Sequence, residues 1–111
     1  MIVTDSGLQY QVLKKGEGEN AKATDTVKVE YVGTLIDGTE FDSTVQHGEP
    51  AQFQVDQVIK GWGEALQLMN VGTKLHLVIP SELAYGENGA APKIQPNSVL
   101  VFDVELLSVE K

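Results

Sequence analysis

Apolar and polar residues alternate along several stretches of this chain, and a period of two residues predicts β-strands. The predicted strands cover residues 8–13, 26–36, 53–55, 74–79 and 99–109. Asp37-Gly38 separates two apolar stretches and is typical of a hairpin turn, after which the chain resumes as Thr39-Glu40-Phe41. The pattern therefore predicts several antiparallel strands.

One short stretch has a helical period instead. Trp62, Leu66 and Met69 lie at i, i+4 and i+7, so they share one face of a predicted helix. Gly72 stands where the C-terminal end of that helix is expected, and Asn70-Val71-Gly72 is predicted to form the turn into the next strand. Trp62 is the only tryptophan of the chain. The pattern fits two roles for it, an anchor of the hydrophobic core or the floor of a binding site.

Antiparallel strands with one short helix predict an α+β domain, whose simplest form is a curved sheet wrapped over the helix. A length of 111 residues suits a single domain with one core, and the sequence shows no repeat, linker or low-complexity segment. Residues 81–98 are predicted to form a long loop, rich in glycine, proline and alanine. Loops of this length in compact domains are often functional.

Charge and cysteine content exclude several classes of function. The net charge is −8, arginine is absent and the eight lysines are scattered, so no basic stripe could follow a phosphate backbone. Nucleic acid is therefore not an expected partner. The absence of cysteine excludes disulfides, thiol nucleophiles and thiolate metal sites. No apolar run approaches the length of a membrane span, and membrane contact is not expected.

The sequence offers little for conventional catalysis. His47 and His76 show no metal-ligand spacing and are expected to be solvated surface residues. No serine has a nucleophile motif and no glycine-rich phosphate loop is present, so neither a metal nor a cofactor is expected. The remaining candidates are Asp42 and a set of aromatic residues in separate elements and loops: Tyr31, Phe41, Trp62, Tyr85 and Phe102. An apolar concavity with a few hydroxyls and one carboxylate suits a hydrophobic ligand.

Four segments resemble the FKBP family, the macrolide-binding peptidyl-prolyl isomerases. They are Gly33-Thr34-Leu35-Ile36-Asp37-Gly38-Thr39-Glu40-Phe41-Asp42-Ser43, Val58-Ile59-Lys60-Gly61-Trp62, Leu83-Ala84-Tyr85-Gly86 and Leu100-Val101-Phe102-Asp103-Val104-Glu105-Leu106-Leu107. Their order and spacing make the match specific, and together they extend over nearly the whole chain. Residues 7–10 and 64–69 look most like the macrophage infectivity potentiator branch of bacteria.

The resemblance implies a half-open antiparallel sheet, a half-barrel around the Trp62 helix, with a pocket between the two. It also implies which residues bind substrate and inhibitor: Tyr31, Phe41, Asp42, Phe53, Val58, Ile59, Trp62, Tyr85, Ile94 and Phe102. Four of these are expected to act in catalysis, namely Tyr31, Asp42, Tyr85 and Phe102. In the family, the Tyr85 hydroxyl and the Ile59 N–H donate to the ligand, and Asp42 accepts a hydrogen bond. For Tyr31 and Phe102, plain core packing is the alternative role.

The implied activity is peptidyl-prolyl cis-trans isomerisation in peptides and folding proteins, without covalent, metal or cofactor chemistry. Two other hypotheses use the same residues. The pocket could bind proline-containing segments without catalysing fast exchange, or the domain could be a scaffold whose pocket is incidental. The sequence separates these hypotheses poorly, although the complete aromatic set favours the enzyme.

The chain departs from the best-known eukaryotic members of the family at three places. Ala51 stands where those members carry an aromatic residue, and Phe53 could compensate for it. His47 stands where many have a cation, which leaves open what pairs with Asp42. Residues 90–93 differ from the usual loop tip, so the preference for substrates and inhibitors is open as well.

By the same resemblance, residues 1–111 form a single isomerase domain, with about residues 1–7 as an N-terminal extension. The expected partners are proline-containing peptides, unfolded protein clients and macrolide inhibitors. We expect the isolated domain to be a monomer, cut from a longer dimeric protein of the periplasm or outer-membrane surface of a Gram-negative bacterium. Residues 1–6 lack the basic start and apolar core of a signal peptide. A cytoplasmic location is therefore the alternative, although a processed or truncated protein would look the same.

Overall fold

The last strand of the chain lies in the middle of an antiparallel sheet and links its two halves. The computed structural model describes residues 1–44, 48–90 and 94–110. Within them the sheet has seven strands: β1 (Ile2–Val3), β2 (Gln9–Lys14), β3 (Thr26–Leu35), β4 (Glu40–Ser43), β5 (Ala51–Gln54), β6 (Lys74–Ile79) and β7 (Leu100–Glu110). Their order is β1-β2-β6-β7-β3-β4, and β5 pairs with the first half of β3.

Buried and more exposed residues alternate along the two central strands, and this alternation decides which side of the sheet faces the core. β3 buries Val27, Val29 and Tyr31 and leaves the residues between them exposed. The partners of Val29 and Tyr31 in β7 are Leu106 and Val104, which are also buried. Because paired residues share a face, β3 and β7 together present one continuous apolar surface.

A short helix, α1 (Lys60–Gln67), packs against this apolar surface. Its buried side includes Trp62 and Leu66, as the helical period predicts. Gly61 lets the helix approach β6, because a Cβ at this position would lie 2.6 Å from Ile79 Cγ2. The arrangement confirms the predicted α+β fold, a curved and unclosed antiparallel sheet around a short helix.

The end of α1 differs from the prediction. The helix stops at Gln67, and beyond it the Met69 N–H donates to the Leu66 carbonyl at 3.1 Å, the tighter pattern that often closes a last turn. Met69 therefore lies outside the helix, although its side chain is still fully buried. Gly72, with φ of +96°, does not end the helix but forms the predicted turn into β6.

Two segments contain 3₁₀ turns that the sequence pattern does not indicate. The alternation predicts a strand at Val55, but this residue begins a 3₁₀ turn (Val55–Gln57), and its N–H donates to the Asp25 carbonyl at 2.9 Å. In the long loop before β7, a second 3₁₀ turn covers Ser81–Leu83. A bridge between Ala90 and Ile94 closes the tip of that loop.

The N-terminal residues are attached to the rest of the domain. β1 pairs with β2, and the Ser6 hydroxyl donates to the carboxylate of Glu64 on α1. The predicted extension over about residues 1–7 therefore packs against the sheet and the helix. None of the helices in the described ranges is long and apolar enough to cross a lipid bilayer.

Candidate active site

The aromatic side chains that the sequence singles out meet above the buried face of α1. Trp62 is 4% exposed, and its ring centroid lies 5.0 Å from that of Tyr31, 5.3 Å from that of Phe102 and 5.5 Å from that of Phe53. The interplanar angles of these pairs are 88°, 85° and 82°. Edge-to-face contacts of this kind are favourable for aromatic quadrupoles. Trp62 is thus the common contact of a packed aromatic cluster.

Strand alternation and register bring Tyr31 and Phe102 to the same place. Phe102 pairs with Gly33, which lies two residues beyond Tyr31 on β3. Residues i and i+2 of a strand point to the same side. The two rings therefore stand side by side on the inner face of the sheet, with centroids 6.2 Å apart.

Phe41 and Asp42 are consecutive residues of β4, yet both line the same cavity. In a regular strand they would point to opposite faces. The pairing of β3 with β4 explains the exception, because Gly33 pairs with Asp42 and Thr34 with Glu40, which leaves Phe41 as an extra residue in a β-bulge. Bulges re-aim side chains in this way.

A hydrogen bond joins Tyr31 to Asp42 at the edge of the aromatic cluster. The Tyr31 hydroxyl donates to Asp42 Oδ2 at 2.6 Å. Burial, and then the hydrogen bond and negative charge of Asp42, raise the pKa of Tyr31 well above its ordinary value. Tyr31 is thus a neutral donor that positions the Asp42 carboxylate, and it is one group that pairs with this carboxylate.

The aromatic cluster and its neighbours line a cavity of about 380 Å³ between the sheet and α1. A volume of this size is usual for the site of a small ligand. Nine of the ten residues predicted to bind substrate and inhibitor line it: Tyr31, Phe41, Asp42, Phe53, Val58, Ile59, Trp62, Tyr85 and Phe102. The tenth, Ile94, is buried in the hydrophobic core at its bridge to Ala90 and is not among the lining residues.

Tyr85 occupies the solvent-exposed margin of the cavity. This residue is 41% exposed, in contrast to Tyr31, Phe41, Trp62 and Phe102, which are buried. It follows the 3₁₀ turn Ser81–Leu83, and the chain reverses at Gly86, whose φ is +57° and whose N–H donates to the Ser81 carbonyl at 2.8 Å. This turn places the Tyr85 ring where a ligand would enter from solvent.

Gln57 also lines the cavity but is not among the residues predicted from the sequence. It ends the 3₁₀ turn that precedes Val58, and its side-chain amide lies 3.4 Å from Asp56 Oδ1. A polar residue beside an apolar pair forms no distinct pattern. Only its position next to the FKBP-like segment that begins at Val58 could have indicated it.

His76 lies on the outer face of the sheet, opposite the cavity. Its Nδ1 is 2.6 Å from Oδ1 of Asp103, its cross-strand partner in β7. This position agrees with the expected surface role. His47 and residues 91–93 lie outside the described residues. In the part of the chain that the structure describes, no group of three or more candidate ligands could hold a metal ion.

The raised pKa of Tyr31 predicts a late ionisation and a loss of stability in alkali. An unfolded tyrosine ionises near pH ~10, so above that pH the folded protein retains a proton that the unfolded chain loses. The contribution of this site to the free energy of unfolding is fully present below pH ~10 and is lost as the pH rises through the folded-state pKa. The phenolate absorbance of the wild type minus that of Tyr31→Phe should stay flat until well above pH ~10. A Tyr31 step at the ordinary pH would contradict the burial of this side chain together with its hydrogen bond to Asp42.

Comparison with known sequences relates this geometry to one family. The sequence model of the FKBP-type peptidyl-prolyl cis-trans isomerases matches residues 17–107. The chain is 63% identical, over 97% of its length, to the FKBP-type peptidyl-prolyl cis-trans isomerase FkpA of Aeromonas hydrophila. It is 51% identical, over 100% of its length, to the outer membrane protein MIP of Legionella longbeachae. It covers 40% and 48% of those two proteins, so it spans less than half of each.

The fold is shared as well as the sequence. The crystal structure of FkpA from Escherichia coli superposes with a TM-score of 0.94 at 55% identity, over 98% of this chain and 51% of that one. All the residues that line the cavity fall within the matched range 17–107. The chain therefore belongs to the family of FKBP-type peptidyl-prolyl cis-trans isomerases.

Proposed function

We propose that this domain accelerates cis-trans rotation about Xaa-Pro bonds by holding the proline ring against Trp62 in the aromatic cavity. The observation that carries the proposal is the edge-to-face cluster around Trp62, with the Tyr31–Asp42 pair at its edge. Membership in the FKBP family supports the reaction. Because the chain spans less than half of the two relatives, the proposal concerns this domain.

The barrier that the domain lowers comes from amide resonance. It amounts to ~18–20 kcal/mol, so uncatalysed rotation of an Xaa-Pro bond takes about tens to hundreds of seconds. In the twisted transition state the resonance is lost and the carbonyl is less polar. Walls formed by Tyr31, Phe41 and Phe102 solvate the planar amide dipole poorly, so they favour the twisted form. A millionfold acceleration corresponds to about 8 kcal/mol of such differential stabilisation.

Three polar groups orient the peptide during rotation in this proposal. α1 begins at Lys60, with Ile59 as its N-cap. The first N–H groups of a helix have no partner inside it, which supports the Ile59 N–H as a donor to a substrate carbonyl. The exposed Tyr85 hydroxyl is the second donor, and the Asp42 carboxylate is the acceptor. No step transfers a proton, so the reaction needs no general base.

We also propose that macrolide inhibitors bind in this cavity. The aromatic lining and the open margin at Tyr85 support a large, mostly apolar ligand whose buried part rests on Trp62. Phe53 contacts both Trp62 and Tyr31, with centroids 5.5 Å and 6.2 Å apart. This contact supports the idea that Phe53 supplies the aromatic wall that Ala51 cannot.

NMR exchange spectroscopy on short peptides tests the proposed activity. The domain is expected to accelerate exchange in Ala-Leu-Pro-Phe about tenfold more than in Ala-Glu-Pro-Phe, a difference of about 1.4 kcal/mol in transition-state stabilisation. An apolar cavity in a chain of net charge −8 disfavours a carboxylate before proline. A saturating macrolide should return both exchange rates to their uncatalysed values.

The outcomes of this experiment separate the three hypotheses. Equal or faster exchange for the glutamate peptide would refute the preference but not the activity. If a peptide changes the Trp62 emission without faster exchange, the cavity is a recognition site for proline-containing segments. If no peptide binds at all, the domain is a scaffold with an incidental cavity.

The names of the relatives bear on where the protein resides. One relative is named an outer membrane protein, which supports our proposal of a location outside the cytoplasm. Fractionation of cells that carry the tagged protein would test it, and recovery in the cytoplasmic fraction alone would contradict it. The monomeric state of this domain and the dimeric state of a longer parent stay predictions.

A further inference from the structure

Gly33 stands at a position of β3 where a glycine is not expected. It follows Val27, Val29 and Tyr31 on the inner face of the strand, and it is buried. Glycine weakens a strand interior, because it adds conformational freedom to the unfolded chain and packs no side chain. Gly33 is not among the glycines of positive φ, so its backbone conformation does not demand glycine. The reason for it must lie in the space around the missing side chain.

Two aromatic rings occupy that space. A Cβ on Gly33 would lie 2.7 Å from Phe102 Cε1, 3.1 Å from Phe102 Cδ1 and 2.8 Å from Phe41 Cζ. Ordinary contacts between carbon atoms are about 3.5–4.0 Å. An alanine at this position would therefore require both rings to move by about 1 Å. The two rings are packed edge to face with centroids 5.5 Å apart.

The surrounding contacts limit where the rings could go. The backbone of Phe102 is held in register with Gly33 between β3 and β6. Phe41 is the bulged residue of β4, opposite the same part of β3. Both rings line the cavity, and a Cβ on Gly33 would press on them from the backbone of β3. A ring displaced from β3 therefore moves into the cavity.

We propose that Gly33 is a positioning residue that sets the depth of the cavity. Its missing side chain lets the edges of Phe41 and Phe102 rest directly on the backbone of β3, which leaves room for a proline ring above Trp62. This inference rests on the proposed function of the cavity. The competing explanation is structural, since aromatic rings that cover a glycine in a neighbouring strand stabilise sheets.

The two explanations differ in what Gly33→Ala does to activity. If Gly33 sets the cavity depth, kcat/KM for Ala-Leu-Pro-Phe is expected to fall about ten- to a hundredfold, as a 1 Å misplacement in a site can cause. If its role is only structural, the folded variant keeps wild-type activity. The matched control is Gly18→Ala, whose Cβ would lie 2.6 Å from Val71 Cβ, outside the cavity. It should leave kcat/KM unchanged.

Shortening the rings provides the second arm of the test. Leucine has neither Cζ nor Cε1. Phe41→Leu therefore removes the close contact between a Cβ at position 33 and Phe41 Cζ, and Phe102→Leu removes the contact with Phe102 Cε1. Each leucine variant is expected to lose activity by itself. In either background, however, adding Gly33→Ala should cost less than it does in the wild type, because only one full ring still has to move. An NMR spectrum of Gly33→Ala should also show shifted ring signals for Phe41 and Phe102.

The results distinguish this inference from the proposed function. An inactive wild type would overturn the proposed function. An active wild type with unchanged Gly33→Ala activity would overturn the role of Gly33 alone, and so would an equal cost of Gly33→Ala in all three backgrounds. A Gly33→Ala protein that fails to fold would contradict the inference as well, since the rings would then have no path into the cavity.

Discussion

Replacement of Asp42 by leucine is expected to lower kcat/KM for a proline peptide by about ten- to a hundredfold. A hydrogen bond to a charged group contributes about 1.5–3 kcal/mol, and every 1.36 kcal/mol in transition-state stabilisation is about tenfold in rate. The free energy of unfolding should fall by about 1–3 kcal/mol, because the Tyr31 hydroxyl loses the acceptor at 2.6 Å. Exchange spectroscopy and urea unfolding measure the two effects separately.

Tyr31→Phe is the matched control for Asp42. It removes the donor of the hydrogen bond and keeps the carboxylate, so a double-mutant cycle separates the two roles of Asp42. If Asp42 contacts the substrate, Asp42→Leu costs more activity than Tyr31→Phe. If Asp42 only positions Tyr31, the double variant is no worse than either single one. A large loss of stability with unchanged activity of the folded protein would make Asp42 a structural residue.

Replacement of Trp62 by alanine is expected to have the largest effect on stability. The indole contacts three other rings and is 4% exposed, and truncations of this kind cost about 3–5 kcal/mol. The free energy of unfolding of a domain of this size is about 5–15 kcal/mol in all, so much of its stability would be lost. Because Trp62 is the only tryptophan, unfolding must be followed by far-UV circular dichroism.

Two further variants separate the floor of the cavity from its margin. Trp62→Phe keeps an aromatic ring and should recover part of the stability that Trp62→Ala loses. Tyr85→Ala, at a 41% exposed position, should cost less than about 1 kcal/mol in stability, while activity falls because a proposed donor is lost. If Trp62→Ala unfolds no more easily than Tyr85→Ala, Trp62 is not the centre of the aromatic cluster.

The inner face of the sheet could be predicted from the sequence because side-chain direction along a strand is periodic. Val27, Val29 and Tyr31 alternate with exposed residues, and backbone geometry alone then places them on one side. The same argument holds for Trp62 and Leu66 on the helix. Periodicity therefore places Tyr31 and Trp62 on inward faces, whereas the meeting of the rings in one pocket was implied by the resemblance to the FKBP family.

The features that the sequence did not reveal depend on contacts between distant residues. The bulge that turns Phe41 toward the cavity exists because of how β3 pairs with β4, and the turn at Val55 depends on the Asp25 carbonyl. Gly72 looks like a helix end because glycine favours both helix ends and turns. Gln57 lines the cavity and Ile94 does not. Both positions depend on the geometry of irregular segments, which a periodic sequence pattern does not predict.

The central position of β7 has a consequence for how the chain folds. β7 (Leu100–Glu110) pairs on one side with β6 and on the other with β3, which begins at Thr26, so the sheet is joined by contacts between residues far apart in sequence. Such a topology folds slowly compared with one of local contacts. During synthesis β3 has no partner on this side until the last strand is available. Phe102 lies on that strand, so the aromatic cavity is completed by the same event that joins the two halves of the sheet, and chains that lack β7 have neither.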